Sequence, residues 1–165
     1  MKMKNLVLSI FLIIFMSVTA FAEQTPADIF NAQVKEAEKT VNQMYPKEVM
    51  SWIVDKKSFL LLDVRSKEEV TAGKIENPNY MNLPRGILDV IASKGAIKPD
   101  QLIVVYCKKG SRGLLAAKTL QDLGFTNVHN LKGGIHAWMG KGLPITNSLG
   151  TFKTVPYDLT GCAEK

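Results

Sequence analysis

Cysteine and histidine are scarce: the chain holds two of each, Cys107, Cys162, His129 and His136. Two cysteines are too few for a disulfide framework, and none of these four residues has the paired spacing of a structural zinc site. No metal and no cofactor is therefore expected. Basic residues outnumber acidic ones, 21 Lys and Arg against 15 Asp and Glu. The lysines are scattered, however, acids are mixed among them, and no basic block interleaves with aromatics. That distribution argues against nucleic acid as a partner and suits a small anion. Also missing is an apolar run of membrane-spanning length, since Leu6–Val18 falls short of the roughly 18 residues a span needs.

That short run belongs to a different pattern. Lys2 and Lys4 precede it, and Ala20-Phe21-Ala22 follows it with small residues at the two positions a signal peptidase reads. A signal peptide over residues 1–22, cut after Ala22, is the expectation, with a retained N-terminal anchor as the alternative. The mature protein is then periplasmic or secreted, with no stable membrane insertion after cleavage.

Beyond the leader, Thr25-Pro26-Ala27-Asp28 reads as a helix start, with a capping threonine, proline at the first helical position and an acid three residues on. Phe30, Val34, Ala37, Val41 and Met44 continue as one apolar helical stripe, so residues 23–45 are expected to be an amphipathic helix. Pro46 either ends it or opens the next helix, Lys47 to Val54, with Val49, Trp52 and Ile53 as buried candidates. Phe59–Val64 and Leu102–Tyr106 are apolar runs of strand length, the kind covered on both faces, and Tyr80–Leu83 and Thr126–Leu131 are shorter strands. Helices are expected between them, the last at Ile135–Met139. Residues 145–165 read as mostly irregular without core elements, with 146–165 as a C-terminal tail. Strands alternating with helices imply an α/β domain, a central parallel sheet with helices on both faces. In such sheets ligands bind beyond the carboxyl ends of the strands.

At one such end lies Cys107-Lys108-Lys109-Gly110-Ser111-Arg112-Gly113. A tight loop leading into a helix turns its backbone N–H groups inward and makes a concave site for negative charge. The thiolate is the nucleophilic form of cysteine, and neighbouring cations together with a helix N-terminus favour it. Cys107 is accordingly read as a nucleophile. Asp63 at the end of its strand needs a partner, and Arg65 is the natural one; the two are either a loop staple or a direct part of the substrate site. Cys162 is either a free thiol, a link to another chain, or a resolving thiol for Cys107. His129 and His136 read as ordinary structural positions, and Trp52 and Trp138 as core aromatics.

Taken in order, Leu61-Leu62-Asp63-Val64-Arg65, Glu69, Gly73-Lys74-Ile75, Leu83-Pro84, the Cys107 loop, Gly124-Phe125 and Leu131-Lys132-Gly133-Gly134-Ile135-His136-Ala137-Trp138 resemble the successive motifs of a rhodanese (thiosulfate sulfurtransferase) domain. The resemblance covers roughly residues 46–145 and is similar to the single-domain exported bacterial type. Lys74, where the family commonly has histidine, Val70, where it has an aromatic, and the Asn77-Pro78-Asn79 turn depart from the pattern.

The resemblance implies a three-layer rhodanese-like fold and sulfur transfer through a Cys107 persulfide. Thiosulfate or a similar anionic donor would load Cys107, and a thiol or cyanide would accept the sulfur. Residues 108 to 113 would bind the donor, with Arg112 ahead of Lys108 and Lys109 because its planar fork matches a sulfonate edge. Either lysine could equally be a solvated surface charge. A monomer is the expected state. The rival chemistry is that of cysteine phosphatases and arsenate reductases; the phosphatases place arginine six residues after the cysteine, whereas Arg112 is five after Cys107, giving a smaller cradle. A non-catalytic module that binds an anion or partner through the same loop is the other alternative.

Overall fold

The computed structural model describes residues 24–154, so the expected leader and Cys162 lie outside the described residues. The chain divides between Ala32 and Gln33 into two units. The described part of the first is the opening of helix α1 (Pro26–Thr40). Thr25 caps it as expected: its hydroxyl accepts from the Asp28 N–H at 3.2 Å, and the Asp28 carboxylate accepts from the Thr25 N–H at 3.0 Å.

In the second unit, β1 (Asn42–Met44), β2 (Leu60–Asp63), β3 (Tyr80–Asn82), β4 (Ile103–Tyr106) and β5 (Val128–Leu131) form one parallel sheet in the order β1-β5-β4-β2-β3. Helices α2 (Pro46–Val54), α3 (Lys67–Thr71), α4 (Leu88–Ser93), α5 (Ser111–Asp122) and α6 (Gly134–Gly140) connect or follow the strands.

Side chains alternate across a strand, so a strand covered on both faces must be apolar throughout. Leu60, Leu62, Val64, Ile103, Val105 and Cys107 enter one core, closed by Ala37, Val41, Leu88, Ala92, Leu114, Ala117 and Leu120. Phe59, Leu61, Val104 and Tyr106 enter the other, with Val49 of α2 and Ile135 and Trp138 of α6. Full burial of one such aliphatic or aromatic side chain is worth about 1.5–3 kcal/mol. The two polar strand residues that are buried, Asp63 and Asn130, are the last of β2 and the next to last of β5. Among the described residues, fully buried polar side chains of the sheet thus lie toward its carboxyl edge, where the loops can partner them.

Three details differ from the sequence reading. The stripe expected to run helically to Met44 stops at Thr40, and Asn42–Met44 pairs with His129–Leu131 as edge strand β1. Met44 is buried either way, because the strand also turns it into the core of Leu131 and Ile135; the sheet therefore starts before residue 46. Residues 145–152, expected to be irregular, form a hairpin of β6 (Ile145–Asn147) and β7 (Gly150–Phe152), and Ile145 is a core residue. Lys74 holds this hairpin by reciprocal backbone bonds with Thr146, both 2.9 Å. Finally, α5 begins at Ser111, so the last three residues of the Cys107–Gly113 stretch read as a loop are already helical.

Candidate active site

β4 is the middle strand of the sheet, and it delivers Cys107 to the carboxyl edge. The Cys107 side chain is buried, and the Gly110 N–H donates to its Sγ at 3.2 Å. Gly110 takes φ 103°, and a Cβ there would lie 2.9 Å from the Gly133 nitrogen, so the turn demands glycine on two counts. The first helical bond of α5 runs from the Leu114 N–H to the Gly110 carbonyl at 2.8 Å. Among the described residues, the N–H groups of Ser111, Arg112 and Gly113 are thereby left as the open donors of the first turn.

The loop's carbonyls are turned the other way. The Ile135 N–H donates to the Cys107 carbonyl at 2.9 Å and the His136 N–H to the Lys108 carbonyl at 3.0 Å. This docking needs Gly134, whose φ is 59° and where a Cβ would run into the Cys107 carbonyl oxygen. Asn130 lies behind the loop. Its Nδ2 donates to Gln43 Oε1 at 3.3 Å, while among the described residues its buried Oδ1 has no hydrogen-bond partner.

The expected loop residues separate into distinct roles. Lys108 and Lys109 are exposed, whereas Arg112 is engaged: its Nη1 and Nη2 donate to the two Glu69 oxygens at 2.7 and 2.6 Å. The guanidinium's hydrogen bonds hold the Glu69 carboxyl down to about 2. Asp63 and Arg65 form a buried pair, with Arg65 Nε donating to Oδ1 at 2.9 Å and Nη2 to Oδ2 at 2.6 Å. Arg65 also donates to the carbonyls of Glu69, 3.1 Å, and Gly73, 2.8 Å, so it staples α3 and the segment after it to the end of β2. Tyr80 donates its hydroxyl to Asp63 at 3.2 Å. Burial, with the Asp63 charge second, pushes the Tyr80 and Tyr106 phenols up, and both stay neutral; the Tyr106 hydroxyl accepts from the Ile75 N–H at 3.3 Å.

Beside the loop lies a cleft of about 200 Å³, lined by Arg65, Glu69, Ala72, Gly73, Lys108, Ile135, His136, Met139 and Ile145. A larger hollow, about 760 Å³, is bounded by Lys56, Lys57, Ser58, Asn77 and Asn79, ahead of β2 and β3, and no residue of the Cys107 loop lines it. His136 faces the cleft. His129 is half-buried in β5, where burial and then Lys57 push its imidazole down, so it stays neutral. Sequence reasoning placed the loop but missed the partnership of Glu69 with Arg112 and the apolar wall from α6 and β6. Glu69 stands 43 positions before Arg112, and only the folded sheet brings them together.

Residues 45–141, more than half of the chain, match the family described as Rhodanese-like domain. The chain is 34% identical over 105 residues to a sulfurtransferase of Allochromatium vinosum, covering 64% of this chain and 94% of that protein. Among solved structures, a polysulfide-sulfur transferase homodimer from Wolinella succinogenes is similar with TM-score 0.62 at 34% identity, over 72% of this chain and 88% of that one. A Rhodopseudomonas palustris protein of unknown function, called a possible tyrosine phosphatase, is similar with TM-score 0.64 at 31% identity, over 70% of this chain and 92% of that one. Three-layer architecture, the motifs in order and a cysteine loop at the end of the middle strand agree with this match: the chain belongs to the rhodanese-like sulfurtransferase family.

Proposed function

We propose that the protein transfers sulfane sulfur through a persulfide on Cys107. One observation carries the reading: the loop is folded around the sulfur itself, with the Gly110 N–H already donating to Sγ at 3.2 Å. The Cys107 thiolate attacks the outer sulfur of a donor such as thiosulfate or polysulfide. The donor's S–S bond breaks, its electron pair leaves with the departing group (sulfite, from thiosulfate), and a Cys107 persulfide remains. The open N–H groups of Ser111, Arg112 and Gly113 stabilise the negative outer sulfur. A thiol or cyanide then attacks that sulfur, takes it as persulfide or thiocyanate, and restores the Cys107 thiolate. Lys108 and Lys109 supply field at the loop's rim, while Asp63 and Arg65 hold its surroundings in place.

Lys2, Lys4, the apolar run and Ala20-Phe21-Ala22 support work outside the cytoplasm. The catalytic reading is tested by exposing purified protein to thiosulfate or polysulfide and measuring intact mass, followed by thiocyanate release with cyanide. The expected result is a gain of one sulfur on Cys107, absent in Cys107→Ser. No mass gain and no turnover would overturn it.

A further inference from the structure

Arg112 was expected to present its fork to a sulfonate, yet that fork already holds a carboxylate. Its two terminal nitrogens meet the two oxygens of Glu69, at 2.7 and 2.6 Å, in the parallel geometry that a guanidinium offers to any oxyanion edge. Glu69 is fixed there from its own side. It is the third residue of α3, its carboxylate accepts from the Ser66 N–H at 3.2 Å, and its N–H donates to the Ser66 hydroxyl at 3.3 Å. The pair is not sealed in the core: the side chains of Arg112 and Glu69 are 38% and 28% exposed, and Glu69 lines the cleft beside the loop.

The charges around that cleft then nearly cancel. Arg65 is matched by Asp63 at 2.6 Å and Arg112 by Glu69. Among the described residues, Lys108 is the one lysine or arginine of the cleft wall without an acidic partner. The remaining wall is largely apolar, from Ala72, Ile135, Met139 and Ile145. A dianion entering here must either approach the Glu69 carboxylate or displace it from two charge-assisted bonds. A monoanion with an organic body meets Lys108 with its charge and the apolar wall with its body, beside the Cys107 loop.

We propose that Glu69 is a specificity-determining residue: it occupies the Arg112 fork in place of a donor's sulfonate and turns the site toward organic persulfides and away from inorganic thiosulfate. The inference rests on the sulfur-transfer reading and names its donor class. In the step it favours, the Cys107 thiolate attacks the terminal sulfur of R–S–S⁻. The donor's S–S bond breaks, R–S⁻ leaves with the electron pair, and the Cys107 persulfide carries the transferred sulfur with its negative charge. No oxidant or reductant is consumed.

The test compares thiosulfate with butyl persulfide as donors for wild type, Glu69→Gln and Glu68→Gln, reading kcat/KM for each and the mass of Cys107 after a single loading. Glutamine at this position can keep the bond to Ser66. Glu68 is exposed, so Glu68→Gln makes the same charge change away from the fork. Glu69→Gln is expected to raise kcat/KM for thiosulfate relative to butyl persulfide about tenfold, chiefly through KM, the scale of one hydrogen bond to a charged group. Glu68→Gln should leave the ratio within about twofold, as exposed charges do. Glu69→Asp, which withdraws the carboxylate by one methylene, should relax the ratio part of the way and provides a second variant if glutamine impairs folding. An unchanged ratio in both Glu69 variants, or an equal change in Glu68→Gln, overturns the proposal while leaving sulfur transfer intact. A wild-type Cys107 loaded by neither donor overturns both.

Discussion

Gly113 and Asn130 share one small space: a Cβ on Gly113 would stand 2.6 Å from Asn130 Oδ1 and 3.3 Å from the Cys107 nitrogen. The side chain behind the loop therefore fits only because the third residue of α5 has none. Gly113→Ala should cost about 1–3 kcal/mol through overpacking. Asn130→Ala in the same chain should return part of that loss, with a coupling of at least about 0.5 kcal/mol in a double-mutant cycle from urea unfolding. Additive effects would show that the two positions do not compete for the space.

Gly134 is constrained more tightly, by its left-handed backbone and by the Cys107 carbonyl oxygen, which blocks the place of a Cβ. Gly134→Ala should destabilise the domain by about 1–3 kcal/mol and pull α6 off the loop. The readout is alkylation of Cys107 by iodoacetamide, which should speed up as the buried thiol loses its cover. An alkylation rate equal to wild type would contradict the docking of α6 described above.

The Asp63–Arg65 pair is buried, so removing one partner leaves the other stranded. Asp63→Ala should cost about 3–5 kcal/mol, and Asp63→Ala combined with Arg65→Met should cost less than that single change. Denaturant midpoints for the two variants decide the matter. If the double variant is the weaker, the bonds from Arg65 to the Glu69 and Gly73 carbonyls outweigh the ion pair.

The Glu69 carboxyl titrates at about 2 in the folded chain, down from 4.5. Unfolding therefore raises its proton affinity, and the stabilisation from its bonds to Arg112 is complete above pH 4.5 and disappears as the pH falls through 2. Melting temperatures of wild type and Glu69→Gln should differ most above pH 4.5 and converge toward pH 2. A gap that stays constant across this range would remove Glu69 as the source.

Much of the fold could be read from local pattern because the buried strands are long apolar runs with few alternatives. Leu60–Asp63 and Ile103–Tyr106 announce themselves, and so does the glycine-bearing loop that follows Cys107. Asn42–Met44 does not, since a polar three-residue strand carries no period of its own and Met44 happens to continue the helical stripe of Ala37 and Val41. Ile145 is similarly hidden, a single core side chain in a hairpin whose other large apolar residues, Leu149 and Phe152, are exposed. The site divides the same way. Its backbone cradle follows from contiguous residues, whereas the neutralisation of Arg112 by Glu69 depends on how β2 and β4 pair, a long-range fact with no local signature.

The bonds from Ile135 and His136 to the Cys107 loop also set an order of assembly. The chain emerges from the ribosome N-terminus first, so Cys107 is synthesised well before Gly133–His136, the segment that holds its carbonyl and that of Lys108. Through that interval Cys107 stands on an unfinished sheet, and a chain truncated before Gly133 would retain the complete Cys107–Gly113 sequence without its anchor. Anchoring of the Cys107 loop is thus coupled to completion of nearly the whole domain.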